Sequence, residues 1–195
     1  MKKIFLLLLL IPVFILPSCK KGEDDPFLSF RSRDNRVTGS WNLASLIGSN
    51  TVYRSDGEEI MYDFYYDENV NDQMTVYYIY ISSGVKITFY YEYFDILMDI
   101  NEDQTNNCSY RAEGEGFYNW NSKGEWYWTS KGKRKEYIDL DALDLVYEGK
   151  TEYDIKRLTE KEMVLVLDFT DTYYDDYNRK CDVVGYHTFT FRKVE

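Results

Sequence analysis

From residue 39 onward the chain alternates apolar and polar positions with a period of two, the spacing that places successive side chains on opposite faces of an extended strand. Val85, Ile87, Phe89, Tyr91 and Tyr93 fall on one face, and Lys86, Thr88, Tyr90 and Glu92 on the other. Met163, Leu165, Leu167 and Phe169 repeat the device, as do Trp126 with Trp128 and Ile138 with Leu140. Turn signals interrupt these runs at Asp56-Gly57, at residues 69–72, Ser82-Ser83-Gly84, residues 121–124, Lys131-Gly132-Lys133, Gly149-Lys150 and Thr159-Glu160-Lys161. Connections this short predict sequential antiparallel hairpins. With 20 tyrosines, 11 phenylalanines, 4 tryptophans and only 3 prolines, the composition suits strands, and no segment has a clean helical period. The expected fold is all-β, an up-and-down antiparallel sheet of eight to ten strands closed into a barrel, because closure removes edges through which so aromatic a sheet would aggregate.

The first residues read differently. Lys2-Lys3, an apolar run over residues 4–16, and then Ser18-Cys19 have the layout of a bacterial lipoprotein signal peptide, with Cys19 as the residue lipidated after cleavage. The apolar run is shorter than the roughly 20 residues a spanning helix needs. The organisation expected is a signal peptide over 1–18, a lipidated tether and cap over 19–38, and one barrel domain over 39–195. Acyl chains on Cys19 would anchor the protein to a membrane without help from the domain. Without Lys2 and Lys3 the chain carries 21 basic against 34 acidic residues, a net charge of −13. Such acidity argues against nucleic acid as a partner. Within the cap, Phe27, Leu28 and Phe30 precede the first strand and predict a short helical turn plugging one end of the barrel.

Asp25-Pro26-Phe27-Leu28-Ser29-Phe30-Arg31-Ser32-Arg33, followed by Arg36-Val37-Thr38-Gly39-Ser40-Trp41, resembles the start of the lipocalin-like lipoproteins of outer-membrane-bearing bacteria. Gly124-Glu125-Trp126-Tyr127-Trp128, residues 155–163 and Thr188-Phe189-Thr190-Phe191-Arg192 continue the resemblance through the chain. It implies a lipocalin-like barrel with an N-terminal helical cap, held at the outer membrane on its periplasmic or outer surface. It also implies that Gly39 and Trp41 form a structural signature at the closed end, with a basic side chain of the last strand across the indole. Arg192 matches that role best. Because Arg192 falls on the strand face opposite Phe189 and Phe191, either those two phenylalanines point outward, a bulge shifts the register, or Lys193 takes its place.

Little in the sequence points to catalysis. No nucleophile elbow, phosphate-binding glycine loop or paired-cysteine metal site is present. His187 is the single histidine and sits in a strand pattern, where a hydrogen-bonded packing role is the ordinary one. Residues 99–103 begin like a calcium loop, but Gln104 stands where glycine is required. Asp168, Asp171, Asp175 and Asp176 read as a solvated acidic loop, and Glu113, Glu115 and Glu125 as the polar face of a hairpin beside Trp120, Trp126 and Trp128. No enzyme, metal or cofactor is expected. Cys108 and Cys181 remain once Cys19 is acylated; they can pair only if an even number of strand reversals separates them, and residues 136–148 read as either one strand or two.

Two functions are left. In the first, the barrel holds a small apolar or amphipathic ligand, with Tyr91, Tyr93, Trp126, Trp128 and Phe169 as candidate lining. In the second, a filled barrel acts as an interaction or scaffold protein, binding a glycan or a protein partner through exposed aromatics such as Tyr90, Tyr173, Tyr174 and Tyr177.

Overall fold

The computed structural model describes residues 32–114, 117–129, 135–143 and 149–194, with the backbone alone at 71, 72 and 117. Cys19 and the apolar cap residues Phe27, Leu28 and Phe30 lie outside the described residues. Among the described residues, one short helix, α1 (Arg33–Val37), precedes eleven strands: β1 (Gly39–Arg54), β2 (Glu59–Asp67), β3 (Asn71–Tyr80), β4 (Val85–Tyr91), β5 (Tyr93–Ile100), β6 (Thr105–Glu113), β7 (Phe117–Trp128), β8 (Tyr137–Leu140), β9 (Glu152–Leu158), β10 (Glu162–Tyr174) and β11 (Lys180–Lys193). Every pairing is antiparallel, and β5 to β11 follow one another round the sheet in chain order. The β11–β1 pairing closes the ring, so β1 and β5 to β11 make an eight-stranded barrel. The all-β barrel expected from the alternation is the fold observed.

The remaining three strands enter through β1. Its first residues, Gly39, Ser40, Trp41 and Asn42, pair with β5, whereas the stretch from Ser45 to Tyr53 pairs with β2. An irregularity between Leu43 and Ser45 marks the exchange of partners, and it buries Ala44 beside Leu43. β2, β3 and β4 thereby extend the sheet from the second half of β1, with β4 as its last strand. β4 and β5 run in the same direction and are joined at a bend at Glu92.

Two sequence expectations are corrected here. Residues 121–124 are not a turn: Asn121, Ser122, Lys123 and Gly124 pair in register with Ser109, Cys108, Asn107 and Asn106 inside β7. Gly124 serves packing, since a Cβ there would lie 2.4 Å from Asp141 Cβ. The bend at Glu92 also shifts the alternation by one residue, so Phe94 and not Tyr93 continues the inward face of Tyr91.

The narrow half is a filled side-chain core. Trp41, Leu43, Ile96, Met98, Ile100, Ile138, Leu140, Leu165, Phe189 and Phe191 are all buried. α1 seals this end. Ser32 caps its first turn, accepting from the Asn35 amide at 3.2 Å. Arg33 and Arg36, both buried, donate to the Lys135 and Leu158 carbonyls. Trp41 Nε1 donates to Val37 O at 2.7 Å and ties the helix to β1.

The cation over that indole is Lys193, which corrects the choice of Arg192. Lys193 Nζ stands 4.9 Å from the Trp41 ring and donates to Arg36 O at 3.1 Å and Thr38 O at 2.6 Å, carbonyls at the C-terminal end of α1. Phe189 and Phe191 point inward, so strict alternation sends Arg192 outward to Glu68 and Lys193 inward. Gly39, with φ at +125°, supplies both the turn into β1 and room for this lysine: a Cβ there would lie 2.6 Å from Lys193 Cε.

Candidate functional site

Above the filled half, the inward faces change character. Register and alternation direct Tyr62 and Phe64 of β2, Tyr78 of β3, Phe89 and Tyr91 of β4, Tyr110 of β6, and Tyr118 and Trp120 of β7 toward the same interior. Tyr62, Phe64, Tyr78, Phe89, Tyr91 and Tyr110 are half-buried against the core. Tyr118 and Trp120 are 55% and 41% exposed although they face inward, so this concave surface is uncovered. The closed end shows no comparable opening among the described residues, because α1 and Trp41 occupy it.

The rings brace one another edge to face. Tyr62 and Tyr78 centroids are 4.5 Å apart, Tyr78 and Phe89 4.9 Å, and Tyr91 and Tyr118 6.5 Å, while Tyr110 stands on Phe94 at 5.5 Å. Burial raises the phenol pKa of Tyr62 and Tyr78, and that of Tyr110 to about 12, with neighbouring phenols adding to each shift. All three hydroxyls are therefore neutral at physiological pH. None of the three has a protein hydrogen bond among the described residues.

A polar pair forms the floor. His187 Nε2 lies 2.6 Å from Asn50 Oδ1, and the imidazole is buried between Phe64 at 5.2 Å and Phe169, stacked at 6.2 Å. Two glycines make the space. Gly48 pairs with His187 and Gly185 with Asn50 across β1 and β11, and a Cβ would come to 2.1 Å from His187 Nδ1 at the first and 2.4 Å from Asn50 Oδ1 at the second. Burial lowers the histidine pKa to about 4, so the ring is neutral. His187 is thus a hydrogen-bonded packing residue.

Of the five lining candidates read from sequence, the structure brings two to this half of the barrel: Tyr91 in the aromatic wall and Phe169 beside His187. Trp126 and Trp128 are at the closed end instead. Trp126 is buried and its Nε1 donates to Asn101 O at 2.7 Å, while Trp128 Nε1 donates to Asp34 of α1 at 2.6 Å. Tyr93 faces outward under Arg111, 4.8 Å from its ring. Cys108 lies inside β6 and Cys181 at the open-end start of β11; both are free and buried. Five strand reversals separate β6 from β11, which puts the two cysteines toward opposite ends, and no bridge forms.

Of the four aspartates read as an acidic loop, Asp168 and Asp171 lie within β10, and two of the four are paired with cations: Asp171 with Lys150 at 3.4 Å and Asp175 with Arg179 at 2.6 Å. No group of three or more His, Cys, Asp or Glu side chains that could hold a metal occurs among the described residues. The molecule is thus defined as a closed antiparallel barrel with a three-stranded extension and an aromatic, phenol-bearing concave face at its open end. No protein-family model and no curated protein matches the chain.

Proposed function

We propose that the protein is a membrane-anchored lipoprotein of the lipocalin-like kind, non-catalytic, which holds a small apolar or amphipathic ligand against the aromatic wall of its open end. The observation that carries this reading is the exposure of Tyr118 and Trp120 on an inward face. Apolar surface left open to water there gains about 25 cal/mol for each Å² that a ligand covers. The phenols of Tyr62, Tyr78 and Tyr110 supply polar groups to orient it.

Anchorage through Cys19 fits this arrangement. The chain enters the barrel through α1 at the closed end, and the twelve residues between Cys19 and Ser32 let the two lie at most about 45 Å apart. The open end then faces away from the bilayer, at the outer membrane, on either its periplasmic or its outer side. Labelling of the protein by palmitate in growing cells, abolished by Cys19→Ala, is the expected result; labelling that survives the substitution refutes the anchor.

Ligand binding is tested by tryptophan fluorescence on the chain from Lys20 onward, titrated with sterols, tetrapyrroles and fatty acids. Trp120 is the only one of the four tryptophans at the open end. Saturable quenching that disappears in Trp120→Phe is expected. Quenching that persists in Trp120→Phe places the ligand elsewhere, and no response to any compound refutes the carrier reading.

A second reading, an interaction protein, draws on the outer wall. Ile47 and Tyr65 pair across β1 and β2, and with Val184 and Tyr186 of β11 they stand 40–57% exposed on one face. Tyr90, Tyr174 and Tyr177, also exposed, are dispersed over β4, the end of β10 and the following turn and do not join that face.

A further inference from the structure

The charges around the open end define what kind of ligand it takes. We infer that the site selects an uncharged ligand, bearing hydroxyl or carbonyl oxygens on an apolar body, over the corresponding carboxylate. The inference rests on the ligand-binding reading above and narrows it.

Among the described inward-facing residues of this half, only Arg54 and Asp171 are charged. Each already has a counter-ion. Asp171 is held by Lys150 at 3.4 Å. Arg54 binds Asp56, which also takes Arg179 at 3.1 Å, and Arg179 binds Asp175 at 2.6 Å, so two guanidinium groups and two carboxylates form one closed, neutral network at the lip. No uncommitted cation among these residues is left for a carboxylate head.

A carboxylate entering this wall loses hydration without gaining a counter-charge. It must also approach a chain with a net charge of −11, and any contact with Arg54 brings it against Asp56. An uncharged oxygen meets neither penalty. It meets the neutral hydroxyls of Tyr62, Tyr78 and Tyr110, and one N–H of a guanidinium whose charge Asp56 offsets: Arg54 Nε, buried and without a hydrogen-bond partner. A neutral acceptor satisfies that N–H without competing for the charge that Asp56 neutralises.

The test compares 2-naphthol with 2-naphthoate, which share an apolar body and differ in charge at pH 7.5. Heats of binding are measured on the full chain in phosphatidylcholine nanodiscs, with empty nanodiscs subtracted and Trp120→Ala as the control for location. The expected result is at least tenfold tighter binding of 2-naphthol, sensitive to Trp120→Ala, and a several-fold gain for 2-naphthoate in Asp56→Asn, which releases the Arg54 charge. Equal binding of the two probes, or preference for 2-naphthoate in the unmodified chain, overturns the selectivity and leaves ligand carriage standing. Absence of any Trp120-dependent heat for either probe overturns the carrier reading itself.

Discussion

Replacing Trp41 by alanine lowers the free energy of unfolding by about 3–5 kcal/mol, the range for deleting a large aromatic side chain from a packed interior. Trp41 is fully buried and opposite Met98 on one neighbouring strand and Lys193 on the other. Its removal therefore leaves a void where three parts of the closed end meet. It also removes the Nε1 hydrogen bond to Val37 O, the link between α1 and the barrel, and takes away the ring beneath Lys193 Nζ. The lysine still has its carbonyl partners but is left beside a cavity. Trp41→Phe, which keeps most of the volume and loses the indole N–H, costs about 1–2 kcal/mol, near the net worth of one buried hydrogen bond with its unpaired acceptor. Urea unfolding of the three proteins measures both effects. A loss below 1 kcal/mol for the alanine variant would show that the closed end is not part of the cooperative unit.

The barrel was legible because the strands of its narrow half follow the period-two rule over most of their length. Phe189 and Phe191 alternate with Thr188, Thr190 and Arg192, so one face of β11 could only be the core, whereas in β10 Val164 and Val166 interrupt the polar face between Met163 and Leu167. The site was less legible because its strands are aromatic on both faces. In β2 and β3, Tyr62 and Tyr78 point inward, but Tyr65 and Tyr77 lie on the outward face, and alternation alone does not say which set is enclosed. Tyr118 and Trp120 of β7, with Tyr127 on the other face, carried the same ambiguity, and Tyr110 is the single aromatic of β6; their direction is fixed only when register ties Tyr110 to Trp120 and Ala112 to Tyr118.

The errors in the candidate lining have local causes. A bend of one residue at Glu92 turned Tyr93 outward, and the length of β7 carried Trp126 and Trp128 down to α1. Neither is visible in composition or spacing. The basic partner of Trp41 was undecided between adjacent residues, and only the burial of Phe191 assigns it to Lys193. These points share one feature: each depends on the parity of a strand relative to a distant neighbour.

Lowering the pH from 7.5 to 4.5 removes about 2–3 kcal/mol of stability through His187 alone. The ring is neutral in the folded protein down to about pH 4, because burial lowers its pKa from the ordinary 6.5. In the unfolded chain it binds a proton below about 6.5. Above that value neither state is protonated and the full stability is present. As the pH falls through the window the unfolded state gains a proton that the folded state refuses, and stability drops by about 1.4 kcal/mol per unit until both states are protonated near pH 4. His187 is the only histidine, and the carboxylates held below their ordinary values, Asp56, Asp103, Asp175 and Asp182, lose their contribution mainly below this window. His187→Gln isolates the effect, since an amide does not titrate and retains a donor toward Asn50. Urea unfolding at pH 7.5 and 4.5 is expected to show the full loss in the natural sequence and at most a small one in the variant. Equal losses in both would mean that His187 takes up its proton within the folded barrel, and the floor of the aromatic site would then be charged, and not neutral, in mildly acidic surroundings.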